Sequence, residues 1–409
     1  MLVSKKNFKN ICIGICLVLL SACRGAETSI QENLLTKVTY SQDDALEVVN
    51  SLCDKQVVLL GEGVSHGEGT TEVFKSSLVK DLVTHCGFDL LLFEASFYEF
   101  ARINKILKEG GSVSEEEIAA ALGLQWARNA EMQNLIKFTE SQLKTGMLRV
   151  GGLDDQTGGR GQDFANFEMP NVILSSIDPK FFDDCRKAIH NRIIYNYRAN
   201  EPYNASQKAN LLKCLSHPDV ADELPDWLNW KAGMQASLYR SIERDLLSKK
   251  DVFSGRGYSM YKNFEFWLES SSDLPKVIIW SSSTHAAKSG EILAVFEEEP
   301  NLGARVKRRF GQSAYSLGFS ALSGSIMKVR GGTMNLPEAP KNSIEATVFS
   351  ASSEDTVFLD ETDLEDIGNR LGAAAVNKFQ ERKWSDLFDG IVIFREQKPT
   401  SRINSDDKK

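Results

Sequence analysis

Residues 57–66 read Val-Val-Leu-Leu-Gly-Glu-Gly-Val-Ser-His, and residues 90–96 read Leu-Leu-Leu-Phe-Glu-Ala-Ser. Between these two apolar runs lies an amphipathic stretch, roughly 70–86, with Val73, Leu78, Leu82 and Val83 at helical spacing. Gly87 follows where a helix-ending glycine belongs. Short apolar runs on either side of a helical pattern predict a βαβ unit with parallel strands. In such sheets ligands sit outside the carboxyl ends of the strands. Glu62, His66 and Glu94 all fall at that edge, so the candidate site is placed there.

Upstream, Ser41 and the acids after it resemble an N-cap opening a short helix. Downstream, helices are expected over 97–108, 114–122 (Ser114 opening a capping box) and about 126–145. They lead to a strand at 148–153 that ends in Asp154-Asp155. Thr157-Gly-Gly-Arg-Gly is rich in glycine but lacks the Walker spacing and its lysine, so it is expected to be a substrate loop or a connector. From 178 to 271 the pattern is helical, rich in Lys, Arg, Trp and Tyr and without a strand, which predicts a helical insertion or cap over the carboxyl edge of the sheet. A strand at 275–280 then runs into Ser281-Ser-Ser-Thr-His285. A helix over 293–299 is next. Strands are expected at 313–320 and 325–329 as a hairpin around Leu322-Ser-Gly, near 344–348 and 357–359, and at 390–394. The fold class is therefore α/β: a mostly parallel central sheet flanked by helices, with a helical insertion and antiparallel strands added near the C-terminus. The domain spans 41–395, and the polar residues 396–409 are expected to be a disordered tail.

The N-terminus carries Lys5, Lys6 and Lys9, then an apolar run from Ile11 to Leu20, then Leu20-Ser-Ala-Cys23. Residues 1–22 have the form of a signal peptide. Leu-Ser-Ala-Cys resembles a bacterial lipobox, which makes Cys23 the candidate lipidated residue and 23–40 a tether. Arg24, rather than an acid, follows that cysteine, which favours the outer membrane facing the periplasm. Cleavage removes three lysines and no acid, so the net charge goes from -8 to -11. That charge excludes nucleic acid as an expected partner, since phosphate binding wants a basic face. Cys53, Cys86, Cys185 and Cys214 then remain in a compartment that permits disulfides. Cys53 and Cys86 both fall at the amino edge of the sheet, and the alternatives are a bridge between them or free thiols.

Five histidines can be weighed one at a time. His85 ends a helix, and His190 and His217 lie in the helical insertion without carboxylates at ligand spacing. His66 and His285 instead follow strands directly. With Glu62, Glu94 and Asp154 they converge on one crevice from four strand ends. Neutral imidazole can take a proton from water near neutral pH, and a neighbouring carboxylate fixes its tautomer. No Gly-x-Ser-x-Gly elbow and no HExxH or CxxC motif occurs, so water activated by histidine is favoured over a covalent serine intermediate.

Gly61-Glu62-x-x-x-His66-Gly67, Glu94 placed 28 residues after that histidine, and Gly152-Leu-Asp154 resemble motifs of the erythromycin esterase family. So do Arg256-x-x-x-Met260-x-x-Asn263, Val277-Ile-Ile-Trp280 through His285-Ala-x-Lys288, and Tyr315-Ser-Leu-Gly318. The resemblance implies hydrolysis of an ester or lactone, with His66 as general base, Glu62 and Glu94 orienting it or the water, and His285 holding substrate or the oxyanion. It also implies substrate-binding positions at Lys75, Asp154, Arg256 and Ser283. Lys75 stands where the family has arginine, Ser282 and Ser283 where it has His-Asn, and Gly257 where it has Asp, so the substrate is open and not necessarily a macrolide. No cofactor is expected. If a divalent metal is used, its ligands would come from His66, His285, Glu62 and Glu94. The alternative in another class is a lipoprotein that binds haem or another small molecule without catalysis, since the family resembles haem-binding bacterial lipoproteins in fold.

Overall fold

The computed structural model describes residues 42–157, 162–175, 179–195, 205–215, 229–244, 249–271, 273–289, 300–328 and 331–403. The signal peptide, Cys23, the tether, most of the Thr157–Gly161 loop and the 293–299 helix expected from sequence lie outside them. Ten strands are described: β1 (Val57–Glu62), β2 (Leu90–Ser96), β3 (Arg149–Asp154), β4 (Val277–Ser282), β5 (Ala314–Met327), β6 (Thr333–Asn335), β7 (Thr356–Leu359), β8 (Asn369–Gly372), β9 (Gln380–Lys383) and β10 (Gly390–Gln397). The main sheet runs β3-β2-β4-β1-β5-β10-β7, with β6 attached to β5, while β8 and β9 form a separate ribbon.

The six strands from β3 to β10 are parallel, and β7 closes the far edge antiparallel to β10. Strands β1, β2 and β4 are buried along their whole length. This is why they read as continuous apolar runs rather than alternating ones. The first βαβ unit is present: the crossover helix Gly69–Cys86 ends on Gly87 at φ 71°. However, β4 inserts between β1 and β2. Connections from β1 lead toward β2 and β3, and those from β4 lead toward β5 and β10. The crevice between β1 and β4 is thus a topological switch point, where open α/β sheets bind ligands.

Four expectations are corrected. Residues 314–327 are one strand, not a hairpin, because Gly324 takes φ 114° and lets the chain bend without turning back. The reversal comes later, where β6 pairs with Ser325–Met327. Residues 344–351 are helical, since the Ser343 side chain caps Ala346 N and outweighs the local β-branched residues. The tail is ordered to residue 403: β10 runs to Gln397, and Glu68 and Asn129 bridge to Pro399 and Arg402. The 126–145 helix is broken in two, Leu124–Ala127 and Ala130–Thr145.

Residues 179–195, 205–215, 229–244 and 249–269 are helices. Trp267 of the last donates to Gly152 O at 2.8 Å, fixing that helix against β3. Cys185 pairs with Cys214 within this helical region, and Cys53 pairs with Cys86 at the amino edge of the sheet. No helix among the described residues is long and apolar enough to cross a membrane.

Candidate active site

Strand β1 ends in Glu62, which is fully buried and nevertheless surrounded by donors. His66 Nδ1 lies 2.7 Å from Oε1, Trp126 Nε1 donates to the same oxygen at 2.9 Å, and Lys75 Nζ donates to Oε2 at 2.7 Å. Burial pushes this carboxyl up, but the Lys75 charge and the His66 hydrogen bond outweigh it and hold it below the usual range. An ionised carboxylate only accepts, so the His66 proton sits on Nδ1. Its Nε2 makes no hydrogen bond among the described residues. Burial lowers the His66 pKa, yet the Glu62 hydrogen bond and charge, with Glu94 and Glu68 behind them, leave it raised. The Trp126 ring stands edge-on at 4.9 Å and walls the imidazole.

The turn carrying His66 is tight. His66 itself has φ 50°. Gly67 cannot bear a side chain, because a Cβ there would collide with Met327 O. Gly67 O accepts from Met327 N and Thr400 N, so β5 and the C-terminal strap both hold the turn.

The second group gathers at the ends of β2, β3 and β4. The β2–β3 register shifts between Phe93 and Ser96, a bulge that aims Glu94 toward its partners. Glu94 Oε2 accepts from Ser282 N at 2.7 Å, and Oε1 accepts from Arg256 Nη2 at 3.0 Å. Arg256 also donates to both oxygens of Asp154, at 3.3 and 2.8 Å, and its Nη1 lies 3.0 Å from His285 Nε2. Guanidinium only donates, so His285 Nε2 is the acceptor. The 3.3 Å approach of Glu94 Oε1 to the same nitrogen is then a contact made through their shared arginine. Burial would raise Glu94, but the Arg256 guanidinium bonded to its Oε1 holds it well below the carboxylate range. Next door, Arg244 grips buried Asp155 with two bonds of 2.6 and 2.7 Å.

Six sequence-predicted residues therefore converge: Glu62, His66, Glu94, Asp154, Arg256 and His285. Two are buried against other partners. Lys75 is wholly buried, with its ammonium 4.0 Å above the Trp280 ring, and serves Glu62. Ser283 is wholly buried and donates to Ala374 O. Trp126 was missed: the sequence showed an aromatic at a helix start, with no sign of which way it turned. Among the described residues, no group of three or more His, Cys, Asp and Glu side chains is placed to hold a metal ion.

Three solved structures share the fold. One is a protein from Bacillus cereus, at 18% identity over 90% of this chain and 94% of that one, with a TM-score of 0.69. A succinoglycan biosynthesis protein is 17% identical over 92% and 99%, with a TM-score of 0.69. A mutant erythromycin esterase in its open conformation is 15% identical over 91% and 98%, with a TM-score of 0.61. No curated protein matches the chain. Glu62 and His66 precede the span matched by a family, so their part in the site rests on geometry. That span, residues 83–397, matches the erythromycin esterase family, and the chain belongs to it.

Proposed function

We propose that the chain hydrolyses an ester or lactone with water activated by His66. Family membership suggests a hydrolase. The observation that carries the mechanism is the His66 Nδ1–Glu62 bond, which leaves Nε2 as a basic lone pair at the switch point. Nε2 takes a proton from water as the water oxygen bonds to the carbonyl carbon. The oxyanion then needs a donor. Arg256 has five N–H groups; one on Nη1 remains after its bonds to Asp154, Glu94 and His285 among the described residues. That N–H is the oxyanion donor here, and His285 positions the guanidinium instead of facing the substrate. When the tetrahedral intermediate collapses, the His66 imidazolium returns its proton to the leaving oxygen.

The anchor belongs to the same proposal: Cys23 carries lipid and holds the enzyme at the cell envelope, at the outer membrane facing the periplasm. Two disulfides suit an exported chain. The test is an ester and lactone panel on the full chain beside His66→Ala. Hydrolysis by wild type should fall about 100- to 10,000-fold in the variant. A wild type inert across the panel that gains a Soret band with haemin would instead make this a binding lipoprotein.

A further inference from the structure

Among the described residues, only two non-glycine positions have positive φ: His66 at 50° and Asn377 at 55°. They are far apart in sequence, and one side chain joins them. Glu68, 3% exposed, accepts from Asn377 Nδ2 at 2.6 Å and from Ser65 Oγ at 3.0 Å on Oε1. Its Oε2 accepts from Gly67 N at 2.9 Å. The carboxylate thus binds the residues on both sides of His66 and reaches across to Asn377.

Asn377 belongs to a segment pinned at two further points. Ala374 O accepts from Ser283 on the β4 side, and Ala373 N donates to buried Glu345 Oε1, which also accepts from Ser320 Oγ at 2.6 Å. Gly63 completes the fit, since a Cβ there would overlap both the Glu68 carboxylate and the Asn377 amide. Left-handed conformations at non-glycine residues cost free energy and persist only where the surroundings over-determine them. Here two such residues share one hydrogen-bonded hub.

We propose that Glu68 and Asn377 form a clasp across the crevice: they are positioning residues that hold the His66 turn with Nδ1 on Glu62 and fix residues 373–377 as the facing wall. This rests on the hydrolase proposal for its consequence in turnover, but not for its structural content.

The test labels histidine with ¹⁵N in the full chain, His66→Gln identifying the His66 signal, and follows its tautomer and titration. Variants are Glu68→Ala, Asn377→Gly, and the swapped pair Glu68→Gln/Asn377→Asp, which keeps a donor facing an acceptor. Glycine takes a φ of 55° without strain, so Asn377→Gly removes only the amide. Glu68→Ala and Asn377→Gly should lose the fixed Nδ1–H signature and shift the titration to lower pH, and the swapped pair should recover the signature. On any ester the wild type turns over, kcat should fall roughly 10- to 100-fold in the two single variants, as for other lost supporting partners. A folded Asn377→Gly whose His66 tautomer and titration match wild type overturns the clasp. A wild type inert on every ester, with the His66 signal altered in Glu68→Ala and Asn377→Gly, keeps the clasp and sinks the hydrolase.

Discussion

The end of β1 and the ends of β2–β4 solve the same problem in opposite ways. At β1 one carboxylate, Glu62, is fully buried and neutralised by one fully buried ammonium, Lys75. The histidine on it keeps a nitrogen with no partner among the described residues. At the other ends two carboxylates, Glu94 and Asp154, share one arginine whose side chain is 20% exposed, and the histidine there is engaged at Nε2. Burial makes the first group dependent on its pairing. Multiplicity makes the second tolerant of a single loss. The first is where a base can act, and the second is a charged frame beside it.

The largest effect is expected at Lys75. Removing one partner of a buried ion pair leaves an uncompensated charge and costs about 3–5 kcal/mol. Lys75→Met keeps much of the stem volume and should lose stability on that scale in denaturant unfolding. Lys75→Met/Glu62→Gln should regain most of it, because neither partner is then charged. Equal midpoints for the single and double variants would show that the two are not an ion pair.

Arg256 tests the other side, with a smaller effect on folding. Glu94 keeps the Ser282 amide, and Asp154 is 8% exposed. Arg256→Lys retains charge but not the fork that spans Asp154, Glu94 and His285. Expected are a change in stability of about 1 kcal/mol, as for an ordinary hydrogen bond lost while the charge is kept, and a loss in kcat of roughly 100-fold, as for one oxyanion donor. A kcat equal to wild type would remove Arg256 from the chemistry.

What the sequence showed of this contrast follows burial. Strands β1, β2 and β4 were legible because both faces are covered, and the polar residues at their ends marked the site. Cys53–Cys86 was legible as one of two readings, because both residues fall at one edge. Strand order was not: nothing local tells β4 to enter between β1 and β2. Lys75 lies nine residues after His66, in the second turn of the Gly69–Cys86 helix, and its side chain's direction depends on how that helix sits on the sheet. The 344–351 segment has strand-like composition, and one serine cap decides against it. Residues 398–403 read as a polar tail, yet they pair through backbone groups, Thr400 N with Gly67 O and Gly69 N with Lys398 O. Backbone pairing leaves no mark on side-chain pattern.

The last difference between the two groups is their response to pH. As the proposed base, His66 must be neutral to act, and its pKa is raised above 6.5, with the Glu62 hydrogen bond the largest cause opposing burial. kcat/KM should therefore rise through a point above pH 6.5 and level off. Glu62→Gln removes the charge that favours imidazolium, so the same limb should move to lower pH while the plateau falls. Stability runs the other way. A group whose folded pKa lies above its unfolded value stabilises the fold fully below the unfolded pKa and loses that contribution as pH rises through the folded one. Wild type should accordingly lose a little thermal stability across the window in which it gains activity. His66→Gln, judged by Tm alone, should show less of that decline, and an identical decline in both would mean that His66 does not titrate there.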